Sequence, residues 1–242
     1  REVGRLFGNL ELKPVQWATG NLGLSWEEDS LAGSHLAPRA SLAFHLDPRN
    51  TLRIGASRAH RTGSVVDYRG DWHNGSKYQF RGDPDMPAER MDTWEIGYIG
   101  DWRHWRMSLD VRLFDEKVYN RLLVIDRDES RNDIPDAMTA IQDVHMRGIE
   151  YQWKWNPFES TKIILNQTFM NADAEFIPSA LANTTNSLWN PGNNFEKRRN
   201  IDELSERGMP RRVTSLFWIQ KLPGKLEFSA AGYWQDKSKW SI

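Results

Sequence analysis

Hydrophobic and polar residues alternate along most of this chain with a period of two. The pattern is densest between Glu89 and Val118. Met107, Leu109, Val111 and Leu113 fall on one parity, and Ser108, Asp110, Arg112 and Phe114 on the other. Successive side chains of a strand point to opposite faces, so this is a strand with one apolar and one charged face. Trp94, Ile96 and Tyr98 alternate in the same way with Glu95 and Gly97, and the short segment Asp101 to His104 joins the two strands. A long polar stretch follows. Strand, short turn, strand, long loop is the unit that the rest of the chain repeats.

Taken in order, Leu6 to Leu12 alternate up to a break at Lys13-Pro14, since proline is poorly tolerated in a central strand. Ala18 to Trp26 form the next run, and a Gly- and Ser-containing loop is expected from there to Ala37. Ala40 to Leu46 and Leu52 to Ala56 flank the turn signal Asp47-Pro48-Arg49-Asn50. From Thr62 to Ala88 the alternation vanishes. A polar loop is expected from Asp126 to Ala140. Ile149, Tyr151, Trp153 and Trp155 show the cleanest alternation, and the chain turns at Asn156 to Ser160 before Ile163 to Phe169. A further long loop reaches Arg211, and two strands, Val213 to Leu222 and Leu226 to Trp234, flank Pro223-Gly224-Lys225. The expectation is an all-β antiparallel meander of about ten strands with no amphipathic helix.

The loops change the picture. Structureless loops beyond about 15 residues are uncommon in a compact soluble domain. Here they fall at one end of the hairpins and the short turns at the other, the asymmetry of an outer-membrane barrel. Trp26, Trp102, Trp105, Trp155 and Trp234 sit near the ends of alternating runs, where interfacial aromatics belong. In a barrel, Asn9, Glu11, Arg53, Asp110, Arg112, Glu150, Lys154, Lys162 and Glu227 line a wet lumen, while Trp94, Tyr98, Leu109, Val111, Ile149, Tyr151 and Trp153 face lipid. A soluble sandwich would show the same alternation; the loop asymmetry and the aromatic belts favour the membrane.

Composition sets further bounds. The chain has 242 residues, a net charge of −1 and no cysteine, so nothing points to nucleic acid, disulfides or thiolate ligands. Mean hydropathy is −0.69, and no stretch approaches the roughly 20 apolar residues of a membrane-spanning helix. A β-barrel is compatible with that value, because its apolar residues alternate with polar ones. No signal peptide is visible, and the opening Arg1-Glu2-Val3 already lies in a strand-like pattern, so the natural N-terminus is expected to lie upstream.

Four segments resemble the barrel of TonB-dependent outer-membrane receptors. They are Ala37-Pro38-Arg39-Ala40-Ser41-Leu42 with the following strand Thr51 to Arg61, Pro87 to Tyr98 with its Glu95-x-Gly97, Gly148-Ile149-Glu150, and Met209-Pro210-Arg211-Arg212. The match departs from the family at Arg61-Thr62-Gly63, where an Arg-x-Pro is usual, and at Trp240-Ser241-Ile242, which lacks a closing terminal strand. The resemblance implies that residues 1–242 are part of a single antiparallel up-and-down transmembrane β-barrel. It supplies under half of a plugged barrel of about 22 strands. The N-terminal plug and the final strands are expected outside this sequence.

The resemblance further implies a bacterial outer-membrane receptor, not an enzyme. Its cargo would be a ferric siderophore or similar iron complex, imported when the TonB complex rearranges the plug. Outer-membrane lipid and lipopolysaccharide are the surrounding partners. The expected ligand-binding residues come from the long loops: Tyr68, Arg69, Trp72, Tyr78 and Arg81 in the first, Trp189, Arg198 and Arg199 in the last. Aromatic rings with arginine suit a flat anionic chelate. The alternative is that these aromatics pack the loops together. No catalytic constellation, resident cofactor or metal site is expected: the six His are scattered, and Asp126-x-Asp128-x-Ser130 lacks the glycine and distal glutamate of a calcium loop. Two other readings remain open, a complete small outer-membrane enzyme or porin and a soluble carbohydrate-binding sandwich.

Overall fold

In a computed structural model, residues 1–75, 77–125, 137–177 and 202–239 are described. Ten strands form one antiparallel sheet: β1 (Val3–Val15), β2 (Ala18–Asp29), β3 (Gly33–Asp47), β4 (Asn50–Arg61), β7 (Glu89–Trp102), β8 (Met107–Ile125), β9 (Ala137–Phe158), β10 (Thr161–Phe176), β11 (Arg212–Leu222) and β12 (Leu226–Gln235). Each pairs with its neighbour in that order, and β1 does not pair with β12. The long segment after β4 holds a helix, α1 (Val65–Arg69), and a separate hairpin, β5 (Asp71–Asn74) with β6 (Lys77–Arg81). A second short helix, α2, covers residues 202–207.

Register decides which side chains share a face. Trp94, Ile96 and Tyr98 sit opposite Asp115, Leu113 and Val111, and Leu109, Val111 and Leu113 opposite Trp153, Tyr151 and Ile149. All the residues expected to face lipid therefore lie on one face. Asp110, Arg112, Glu150 and Lys154 lie on the other, with Arg53, which is paired to Gly97. The apolar face is uncovered: Leu10, Leu22, Ile54, Trp94, Ile96, Leu113 and Leu216 are all exposed, Trp94 by 68%. A water-soluble sandwich buries such a face, and a soluble surface does not expose so wide a patch. A bilayer covers it. Trp94 and Trp102 bracket the belt on β7. Their separation is about 27 Å along the strand and about 21 Å in height at a tilt near 40°, close to the band of about 25 Å that a membrane barrel presents.

Several boundaries differ from expectation. β1 runs through Pro14 and turns at Gln16-Trp17; the ladder is irregular between Leu12 and Val15, where a proline does least harm. β3 begins at Gly33, so the expected loop to Ala37 is a tight connection. Pro38 lies inside β3, paired to Leu24 of β2, and the β3–β4 ladder stops one residue later at Arg39–Ser57. Proline has no N–H to donate, so the backbone ladder ends there, while above it the His35 and His60 rings still stack with centroids 5.0 Å apart. The stretch after Thr62 is not structureless, and β8, β9 and β10 run further than the alternation shows.

Candidate functional site

The lumen face of the belt is held by ion pairs. Arg112 donates to Glu95 (2.7 Å), Glu116 (2.9 Å) and Glu150 (3.2 Å), one on its own strand and one on each neighbour. Arg53 reaches Asp110 at 2.9 Å across Gly97. Glycine makes room for these long side chains to lie flat. A Cβ at Gly97 would stand 3.1 Å from the Arg53 guanidinium, and one at Gly148 would stand 2.6 Å from Phe114 and 2.4 Å from the Phe169 carbonyl oxygen.

Above Phe114 and Gly148 the polarity reverses. The inner face becomes apolar, with Val118, Val144, Ala172 and Ala174 forming one buried cluster. The outer face becomes charged, with His145 against Asp115 (2.9 Å) and Arg147 against Asp173 (3.3 Å). The segment after β4 folds against the inside of this upper wall. Tyr68 of α1 and Met86 pack on Leu122, Ala140 and Ile177.

The first loop is fastened locally. Ser64 caps α1: its hydroxyl accepts from the Asp67 N–H, and the Asp67 carboxylate accepts from the Ser64 N–H at 2.7 Å, a reciprocal capping box. The β5–β6 hairpin is closed at its base by Gly82 N–H to the Gly70 carbonyl, 2.7 Å. A Cβ at Gly82 would lie 2.6 Å from the backbone of Tyr68 and Arg69, so only glycine allows that approach. At the loop's start, Arg1 pairs with Asp29 and donates to the Gly63 carbonyl (2.9 Å) and the Thr62 hydroxyl (2.6 Å). Burial works to raise the Asp29 carboxyl, but the Arg1 hydrogen bonds and charge and the Leu31 N–H hold it below the usual range. Burial pushes the Tyr68 phenol up.

The second fastening is α2. Gln142, fully buried on the inner wall, donates to Asp202 at 2.6 Å and accepts from the Ser205 hydroxyl at 2.7 Å. Glu206 accepts from the Ala174 N–H at 3.3 Å, on the edge of β10 above its pairing with β11.

The expected ligand residues separate into groups. Tyr68 is 2% exposed and belongs to the packing that anchors the loop. Arg69, Trp72 and Arg81 are exposed, Trp72 with its ring 5.3 Å from that of Phe80. The backbone of Tyr78 lies in β6, opposite His73. Trp189, Asn190, Arg198 and Arg199 lie outside the described residues, as does the Asp126–Ser130 stretch. Arg1, Asp29, Gln142 and Ser205 were not singled out by sequence. Their roles depend on contacts across the chain that carry no local motif. Among the described residues, no cluster of three or more His, Cys, Asp or Glu side chains stands ready for a metal.

The family model described as TonB dependent receptor-like, beta-barrel, matches residues 1–241. The chain belongs to this family. Its fold is correspondingly that of an antiparallel transmembrane barrel wall, and the family's barrels are bacterial outer-membrane transport receptors. No curated protein sequence matches it. Among solved structures, a mutant of the ferric enterobactin receptor PfeA of Pseudomonas aeruginosa in complex with enterobactin superposes with a TM-score of 0.71 at 15% identity. That match covers 98% of this chain and 33% of the other. The siderophore receptor PirA of the same organism gives 0.70 at 12% identity, covering 96% and 39%. The alcaligin receptor FauA of Bordetella pertussis gives 0.59 at 14%, covering 97% and 38%. At these identities the likeness is one of fold, and the chain spans about a third of the length of the receptors it matches.

Proposed function

We propose that this chain forms part of the wall and mouth of an outer-membrane receptor that captures a ferric siderophore or a similar iron complex. Import would follow from rearrangement of a plug domain, contributed by sequence outside residues 1–242 and energised by the TonB complex. The observation that carries the reading is the fastened loop after β4. Its buried side, Tyr68 and Met86, is spent on the wall, which leaves Arg69, Trp72 and Arg81 exposed on the α1–hairpin unit. Indole and guanidinium together suit an anionic aromatic chelate through stacking and charge-assisted hydrogen bonds. The siderophores named for PfeA and FauA support this class of cargo. On this reading lipopolysaccharide would surround the wall from outside. The uncovered apolar face weighs against a soluble carbohydrate-binding sandwich, and the lack of β1–β12 pairing against a complete small barrel.

The test is binding and uptake of a panel of ferric siderophores by the full-length receptor and its variants. Trp72→Ala and Arg81→Ala are expected to weaken a proven cargo by about tenfold each. Tyr68→Ala should weaken it further by releasing the whole loop. Unchanged binding in all three would remove this loop from the site.

A further inference from the structure

The upper ends of β3 and β4 face each other without a backbone ladder. The last pair is Arg39 with Ser57. Above it β3 stays paired to β2 as far as Gly33, and β4 to β7 as far as Arg61. Side chains close the seam between them. His35 of β3 and His60 of β4 stack across it, with ring centroids 5.0 Å apart and planes 23° from parallel. In each ring a buried nitrogen, His35 Nε2 and His60 Nδ1, has no hydrogen-bond partner among the described residues.

A neutral imidazole tolerates this, because the unpartnered nitrogen can be the one without a proton. An imidazolium does not: both nitrogens then donate, and one in each ring has no acceptor. The surroundings oppose charge as well. Arg58 on the same strand and Arg90 on β7 act on His60, and Asp92, the carboxylate that could balance them, is already engaged. Arg58 holds it through Nε at 2.7 Å and Nη2 at 2.9 Å, and Arg90 lies 3.5 Å from it with its guanidinium over the Tyr119 ring of β8. From β2, Glu27 sits opposite His35 but is paired with Arg5 of β1, and Glu28 takes the Ser34 hydroxyl. Burial, His35 and the two guanidinium groups hold the His60 ring below its ordinary value. His60 lies opposite Arg90, above Trp94 and so outside the belt. A metal ion suits the pair poorly, since it must lie in the plane of each ring that binds it, and stacked rings share no such point between them.

The loop after β4 is fastened on both sides of this seam. β4 runs directly into it. The β2–β3 turn holds it through Asp29 and Arg1, and Leu31 and Ala32 pack against the Tyr68 cluster. We propose that His35 and His60 are a pH-sensitive clasp: neutral and stacked they close the seam between β3 and β4, and protonated they part, releasing the β2–β3 turn from the strand that carries the loop. Closure is at full strength above the ordinary histidine value of 6.5 and is lost as pH falls below it, because the open seam takes up the proton more readily. Asp29 does not mimic this, since its carboxyl lies below 3.8.

The test is amide hydrogen exchange in the full-length receptor in lipid vesicles, read at residues 34–37 and 58–61 and corrected for intrinsic rates. Between about pH 7.5 and about pH 4.5, exchange is expected to rise about tenfold. The rise should start below 6.5. His35→Phe with His60→Phe keeps two flat rings that do not titrate, and should stay slow throughout. His60→Phe alone should remove most of the rise, and it carries the test if the double variant fails to assemble. Absence of a wild-type rise, or one that begins only in the carboxylate range below about pH 5, overturns the proposal. So does an unchanged rise in the phenylalanine variants. No cargo enters the measurement, so its outcome is separate from that of the siderophore reading.

Discussion

Strands β8, β9 and β10 pass through two surroundings, and their two faces exchange roles on the way. Below Phe114 and Gly148, Leu109, Val111, Tyr151 and Trp153 point outward, and Asp110, Arg112 and Glu150 point in. Above them, Asp115, His145, Arg147 and Asp173 point outward, and Val118, Val144, Ala172 and Ala174 are buried inside. The backbone pattern is the same in both regions. What changes is the solvent outside, from hydrocarbon to water, so the side that must be apolar changes with it. Strand parity thus fixes which side chains share a face, and the surroundings alone fix which of the faces is apolar.

The largest test sets a charge on equivalent faces of the two regions. Leu109→Arg, in the belt, should cost about 2–4 kcal/mol in unfolding from lipid vesicles, whereas Asn171→Arg, outward on the upper wall, should stay within about 0.5 kcal/mol. Equal costs would dissolve the distinction. Next, truncation should hurt on opposite sides. Leu122→Ala, buried under the loop, should cost about 2–5 kcal/mol in the stability of the upper wall, read by hydrogen exchange in residues 62–88. Leu113→Ala, half exposed to lipid, should cost about 1 kcal/mol or less.

A smaller effect should follow from Arg112→Gln, which leaves Glu95, Glu116 and Glu150 without their shared cation. The lumen is wet and these groups are partly exposed, so about 1–2 kcal/mol is expected, shrinking with added salt. The smallest effect concerns the Arg1–Asp29 latch. The folded carboxyl lies below its ordinary value of 3.8, so its contribution is fully present above that value and is lost as the pH falls through the folded one. Exchange protection of Thr62 and Gly63 should therefore drop in acid, and Asp29→Asn should abolish that drop by losing the latch at every pH.

Legibility in the sequence follows the same division. Within the belt, alternation located every strand, and all the residues assigned to lumen and lipid fall on the faces expected. Beyond it, the apolar parity switches: after Asp115-Glu116-Lys117 the reader following outward leucines loses the strand, although β8 continues to Ile125. Asn120 adds a left-handed residue (φ 55°) and an irregular register, which blurs the period further. The hairpin after α1 was hidden because its strands are short and nearly all polar or aromatic. In the loop proposed for the ligand, sequence could not separate Tyr68, which anchors it, from Trp72 and Arg81, which it presents; that difference is one of burial.

The reversal also acts as a vertical gauge. Alternation penalises a slip of one residue between neighbouring strands, since every side chain would change sides, but it is blind to a slip of two. Here a slip of two would carry Asp115 down to the level of Leu113, or lift Ile149 out to that of Arg147, about 7 Å along the strand. Either shift misplaces a side chain at the waterline, so the boundary fixes how deep each hairpin sits as the sheet assembles.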